Sequence, residues 1–202
     1  MTRRPPVIGI VGGIGAGKSE VARALAELGC VVSDSDRAAH EVLASPDVIT
    51  QAVQRWGRAV LAADGRPDRS AIGQVVFADP GERLWLESII HPRLESRRRQ
   101  LFAAHPQARA HVIDAPLLLE AGLGPSCDAV IFVEAPEGAR LARVQATRGW
   151  SHAEWSRREA AQMPLDLKRK MSHHVVCNDG DPASLRVSVR AVLDLIDPAT
   201  SD

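Results

Sequence analysis

Net charge is the first thing this 202-residue sequence lacks: Lys and Arg together number 25, and so do Asp and Glu. A balanced chain has no field of one sign with which to draw a polyanion, which argues against a dedicated binder of nucleic acid or anionic membrane. Local basic clusters remain. Cysteine is scarce, and Cys30, Cys127 and Cys177 are odd in number, far apart and without C-x-x-C spacing. Reduced, buried thiols are expected, not disulfides or a zinc site. No long hydrophobic run occurs either, since the apolar stretch after the N-terminal MTRRPP is short and broken by Gly9, Gly12 and Gly13. Neither a signal peptide nor a membrane span is expected, and the chain reads as cytoplasmic. No internal repeat or low-complexity segment stands out. At this length one good core fits and a second would be cramped, so a single domain over residues 1–202 with insertions is expected, as a monomer or weak homo-oligomer.

What is present is the stretch GGIGAGKS, residues 12–19. An apolar run, Val7 to Val11, precedes it, and Val21, Leu25 and Leu28 follow at helical spacing, so the loop joins a buried strand to a helix. That context is what G-x-x-x-x-G-K-[ST] requires. Glycines let the backbone curl so that successive N–H groups point inward, and the helix start adds free donors and a positive dipole end. The pattern predicts phosphate binding, with Lys18 on the β- and γ-phosphates and the Ser19 hydroxyl on Mg²⁺. Its alternative is a glycine-rich turn that binds nothing.

Along the chain, short apolar strands alternate with helices. Strands are expected at Cys30-Val31-Val32-Ser33, His111-Val112-Ile113, 129–133 and His174-Val175-Val176-Cys177. A helical stretch from Arg37 to about Ala104 is interrupted at residues 63–67 and at His91-Pro92, because the residue before proline is driven from the helical region. Pro136 opens a helix that stops at Gly149, Ser151-x-x-Glu154 reads as a capping box, and Asp181-Pro182 starts a closing helix with Leu185, Val189, Val192, Leu193 and Ile196 on one stripe. The alternation predicts an α/β fold with a parallel sheet covered on both faces.

In such sheets ligands lie beyond the carboxyl ends of the strands. Asp34 and Asp36 follow the second strand there. Asp36 is the candidate partner of an acceptor hydroxyl, with a helix cap before Arg37 as the alternative. Asp114 is placed to hold a Mg²⁺-bound water, or to serve a turn. Transfer to a hydroxyl needs cations on the migrating phosphoryl group, and Arg140, Arg143 and Arg148 cluster around one helix. The basic segment 143–171 reads as a mobile lid or as a solvated helix pair, and Arg97-Arg98-Arg99 as a solvated face. Trp56, Trp85, Trp150 and Trp155 are assigned to core packing.

Several rival functions are weakened by what is missing. A GTPase switch calls for N-K-x-D, where the chain has only Asn178-Asp179-Gly180-Asp181. A nucleic-acid-driven ATPase calls for a strand ending Asp-Glu, where this one ends Asp114-Ala115. A small-metabolite or nucleoside monophosphate kinase shares loop, lid and reaction.

The sequence also resembles the dephospho-coenzyme A kinase family over most of its length, from Ile8 to Val192. Beyond GGIGAGKS, the resemblance is carried by the D-x-D of Asp34 and Asp36, the FADP of 77–80, His91-Pro92, the PLLLE of 116–120, Arg143, Gln162, Lys168 and the N-x-G of Asn178 and Gly180. It implies a three-layer P-loop kinase fold with a helical acceptor-binding insertion at about 37–106 and a lid at about 143–171. It further implies transfer from ATP, with Mg²⁺, to the ribose 3′-hydroxyl of dephospho-CoA. The catalytic set it implies is Asp36 as general base, with Lys18 and Arg143 on the phosphoryl group. ATP would meet Gly12, Gly13, Ile14, Gly15, Ala16, Gly17, Lys18, Ser19, Glu20, Asn178 and Gly180. The acceptor would meet Asp36, His91, Pro92, Leu117, Leu118 and Glu120. The metal is assigned to Ser19 and, through water, to Asp114. Glu20 stands where the family has threonine, and Ser172-His173 where it has Ala-Asp; neither is expected to touch the catalytic set.

Overall fold

The computed structural model describes residues 4–198. Residues 1–3, part of the N-terminal stretch weighed above as a leader, lie outside the described residues. Five strands, β1 (Val7–Gly12), β2 (Val31–Asp34), β3 (His111–Asp114), β4 (Ala129–Glu134) and β5 (His174–Cys177), pair in parallel in the order β2-β3-β1-β4-β5. The helices are α1 (Lys18–Glu27), α2 (Ser35–Leu43), α3 (Pro46–Trp56), α4 (Arg69–Ala78), α5 (Pro80–Ala103), α6 (Glu137–Arg148), α7 (His152–Ala160), α8 (Leu165–Lys170) and α9 (Pro182–Ile196). Two compact units result. One contains the residues up to Asp34 and from Ala104 onward; the other is Ser35–Ala103.

In the first unit β1 is central, because the chain leaves it toward β2 on one side and crosses from β3 to β4 on the other. That reversal puts the loop after β1 at the position where such sheets bind ligands. Ile8 and Ile10 bury one face of β1 in a cluster with Val21 and Leu25 of α1 and Leu185, Val189 and Leu193 of α9. Each such side chain contributes about 1.5–3 kcal/mol. On the opposite face Gly9 admits a loop, since a Cβ there would lie 2.9 Å from Cys127 Sγ and from Leu118 Cδ1.

The expected helix ends are chemically visible. Gly149, in the left-handed conformation at φ 66°, closes α6. Ser151 Oγ accepts from the Glu154 N–H at 3.2 Å, while the Glu154 carboxylate turns to Arg157 and Arg158, so only half of the capping box forms. Asp181 caps α9 through Ala183 and Ser184. At β5, His173 extends the ladder by one step: its N–H donates to the Val130 carbonyl at 2.9 Å and its Nδ1 accepts from the Val130 N–H at 3.0 Å. A ring nitrogen thus serves as the acceptor that a carboxylate would supply.

In the second unit, helices α2 to α5 close on two small apolar clusters, one built on Val42, Val48 and Ile89 and the other on Ala52, Val60 and Ile72. Two expectations are corrected here. Helix α5 does not break at His91-Pro92; it runs through them for 24 residues. Proline disturbs the hydrogen bonds of the preceding turn, and there the Ile89 carbonyl accepts from Arg93 Nη1 at 2.8 Å while Arg93 also pairs with Asp47. Helix α2 starts at Ser35, not Arg37, so Asp36 lies in its first turn and is not its cap.

The thiol expectation holds in part. All three cysteines are free, but only Cys30 is buried, and that burial pushes its pKa up to about 11; Cys127 is half-buried and Cys177 exposed. Among the described residues no helix is long and apolar enough to cross a membrane, and no cluster of three or more His, Cys, Asp or Glu could hold a metal.

Candidate active site

The loop after β1 is shaped by what presses on it from outside. Gly17, at φ 88°, forms the N-cap of α1 without a side-chain cap, which leaves the helix start to the loop's own backbone. A Cβ at Gly13 would strike the Arg140 guanidinium, one at Gly15 the Arg140 carbonyl, and one at Gly17 the Asn178 amide. The glycines are therefore required by their protein neighbours as well as by any phosphate. Lys18, half-buried at the first position of α1, turns back over the loop, and its Nζ donates to the carbonyls of Gly12 and Gly13 at 3.0 Å each. Ser19 beside it is exposed.

Arg143 on α6 grips the outer side of the same loop. Its Nη1 donates to the carbonyls of Gly15 and Ala16 at 3.3 and 3.4 Å, and its Nη2 to the backbone oxygen and Oδ1 of Asn178 at 3.3 and 3.1 Å. Asn178, only 2% exposed just beyond β5, donates from Nδ2 to Ala16 O at 3.0 Å and to Glu20 Oε2 at 2.7 Å. Glu20 thus meets Asn178, a residue of the expected ATP-binding set, and reaches Arg143 only through it. Gly180, at φ 114°, follows two residues later, near Arg143.

Ile14 is held from the other side by α7. Glu159 Oε1 accepts from its N–H at 3.2 Å, Trp155 Nε1 donates to its carbonyl at 3.3 Å, and Arg140, 5% exposed, bridges to Glu159. The sequence reading passed over Glu159 and left Trp155 to core packing. The available signal was an apolar Trp155 one helical turn before a carboxylate in an otherwise polar helix.

Asp34 and Asp114 are register partners at the ends of β2 and β3, and Asp114 also pairs in register with Ile10, so one carboxylate adjoins the strand that leads into the loop and the other lies one strand further out. Asp114 is the last residue of its strand.

The PLLLE segment divides its work. Leu117 is 46% exposed, whereas Leu118 has no exposed surface and packs under β1 against Gly9; it holds the segment down and offers a ligand no surface. Glu120 pairs with the buried Lys168 at 2.9 Å and accepts from the Met163 N–H at 3.0 Å, while Lys168 also donates to Gln162 Oε1 at 3.0 Å. Burial raises the Glu120 pKa, but the hydrogen bond from Lys168 and two backbone donors outweigh it and hold the carboxyl below the ordinary glutamate value. Three residues shared with the family pattern, Glu120, Gln162 and Lys168, therefore meet in one polar knot that ties the segment read as a lid to the loop after β3.

A cleft of about 180 Å³ opens beside Gly13, between Arg140 and the Glu134–Arg169 pair at 3.1 Å. Arg148 lies over the Trp150 ring. In the other unit Asp36, His91 and Pro92 are all exposed, Asp36 on α2 and His91-Pro92 on α5.

The family model for CoaE, dephospho-CoA kinase, matches residues 6–184. A dephospho-CoA kinase of Synechococcus sp. (strain CC9605) is 42% identical over 190 residues, covering 93% of this chain and 92% of that one, and one of Streptomyces avermitilis is 40% identical over 173 residues, covering 85% and 84%. Among solved structures, TT1252 from Thermus thermophilus superposes with a TM-score of 0.83 at 34% identity, covering 96% of this chain and 98% of its own. A shikimate kinase from Acinetobacter baumannii, at 18% identity and TM-score 0.54 over 98% and 96% of the two chains, shares the fold.

Proposed function

Because the chain belongs to the dephospho-CoA kinase family, and so catalyses the last step of coenzyme A biosynthesis, we propose that its glycine-rich loop holds ATP while Lys18, Arg143 and Asp36 carry the transfer to the ribose 3′-hydroxyl of dephospho-CoA. The observation that carries this reading is the position of Lys18 Nζ, turned over a loop that follows the central strand and opens an uncapped helix. There Nζ can exchange loop carbonyl oxygens for β- and γ-phosphate oxygens. Arg143, already beside Gly15 and Ala16, meets the charge of the migrating phosphoryl group, and Asn178 and Gly180 border the adenine side.

A kinase of this type works with a divalent metal, and Mg²⁺ is the ion the oxygen donors fit. Ser19 supplies a hydroxyl and Asp114 a carboxylate beside Asp34, which suits a hard cation that keeps most of its waters. Held by Ser19 and Asp114, the ion would supply positive charge against that developing on the phosphoryl group.

Asp36 is the base, and its chemistry is constrained. A carboxylate is a far weaker base than an alkoxide, so it cannot strip a sugar hydroxyl before attack. It acts late: it orients the hydroxyl by hydrogen bond and takes the proton as the new P–O bond makes that oxygen acidic. The helical unit Ser35–Ala103 is proposed to hold the acceptor through His91-Pro92, and the segment 143–171 to act as a lid. The test is ADP release with dephospho-CoA, with shikimate, with nucleoside monophosphates and with no acceptor. Release confined to dephospho-CoA supports the reading, and acceptor-independent release overturns it.

A further inference from the structure

Ile14 is the one residue of the phosphate loop whose side chain and both backbone polar groups are all claimed by the helices that follow β4. Its side chain is 8% exposed in a cluster with Val144 and Trp155. Its N–H goes to Glu159 Oε1 at 3.2 Å and its carbonyl to Trp155 Nε1 at 3.3 Å. Arg140 completes the arrangement: it bridges to Glu159, lies 5.0 Å from the centroid of the Trp155 ring and reaches the Ile14 carbonyl at 3.5 Å. Gly13 must lack a side chain because this ion pair passes across it.

We infer that Arg140, Trp155 and Glu159 are positioning residues for phosphate binding, a brace through which α6 and α7 set the backbone of the loop at Ile14. The inference rests on the reading of that loop as the ATP site. A loop of several glycines has many backbone conformations, and binding ATP in one of them is weakened by the fraction of time spent in the others. Anchoring both polar groups of one central residue removes much of that freedom before ATP arrives. The indole N–H and the carboxylate do this by hydrogen bonds, and Arg140 keeps the carboxylate aimed at the Ile14 N–H. The brace acts on the loop, so its effect falls on ATP and not on the acceptor.

The first readout needs no nucleotide. Amide hydrogen exchange at Ile14 should quicken roughly 2- to 10-fold in Glu159→Ala, the weight of one ordinary hydrogen bond, and stay near wild type in Glu159→Gln, which keeps an acceptor oxygen. The second readout is kinetic. Trp155→Phe keeps a ring in the cluster and removes only the N–H; it should raise KM for ATP by a similar factor, with KM for dephospho-CoA unchanged. Unchanged exchange at Ile14 in Glu159→Ala overturns the brace, as does a fall in melting temperature without a change in KM for ATP, or an equal rise in both KM values. Failure of the parent reading shows separately, as wild-type protein that does not phosphorylate dephospho-CoA.

Discussion

Asn178 donates from its side-chain nitrogen to the Glu20 carboxylate at 2.7 Å, which joins the residue after β5 to the first turn of α1. The bond fixes which way the amide faces: with Nδ2 on Glu20 and Ala16 O, Oδ1 is left to accept from Arg143. Glu20, where threonine is usual in the family, is in this chain part of the support beneath Arg143. Asn178→Ala removes all of these contacts and should raise KM for ATP more than Glu20→Ala, which leaves the Ala16 and Arg143 contacts in place. The single lost bond in Glu20→Ala should cost about 0.5–1.5 kcal/mol. ATP titrations of both variants check the order.

Lys18→Ala should lower turnover by at least about 10²-fold, as expected for loss of a preorganised charge on the transferring group. Lys18 sits at the start of α1 beside the loop and outside the apolar clusters, so the melting temperature should stay within a few degrees of wild type. Near wild-type turnover would remove Lys18 from the mechanism.

Arg143→Ala separates two roles. A guanidinium that meets charge mainly in the transition state lowers kcat more than ATP affinity when removed, whereas one that only clamps Gly15, Ala16 and Asn178 lowers affinity alone. The larger effect is expected on kcat, measured by dephospho-CoA-dependent ADP release at saturating ATP.

Asp36→Asn keeps shape and one acceptor oxygen but loses the proton sink, so turnover should fall roughly 10²- to 10⁴-fold with ATP binding nearly unchanged. Asp34→Asn, beside Asp114 at the ends of β2 and β3, should hurt less. The reverse order would transfer the base to Asp34.

Glu120 predicts a pH dependence of stability. Its pKa is lowered in the folded state by Lys168, so its contribution is complete above the ordinary glutamate value. It fades as pH falls from there through the lowered value. Glu120→Gln leaves the buried Lys168 charge without its carboxylate and should cost about 3 kcal/mol near neutral pH. Urea unfolding of wild type and variant should show that gap closing toward acid.

The strand–loop–helix around residues 12–19, the alternation of strands and helices, and the helix ends at Gly149 and Asp181 were all decided by the sequence itself. These features depend on local periodicity, on the φ of glycine and on side chains that reach their own backbone two or three residues away. The tertiary structure alone decided which charge meets which. Arg140, Arg143 and Arg148 look alike in sequence, yet one closes on Glu159 across 19 positions, one on Asn178 and the loop, and one on the Trp150 ring. The Asn178–Glu20 bond spans 158 positions. Such pairings exist only once the strand order β2-β3-β1-β4-β5 brings the ends of β1 and β5 near the same helices, and no local pattern records that order. The same holds for Pro92. A local rule ends the helix there, and it is the packing of α5, with Arg93 held between Asp47 and the Ile89 carbonyl, that carries the helix through.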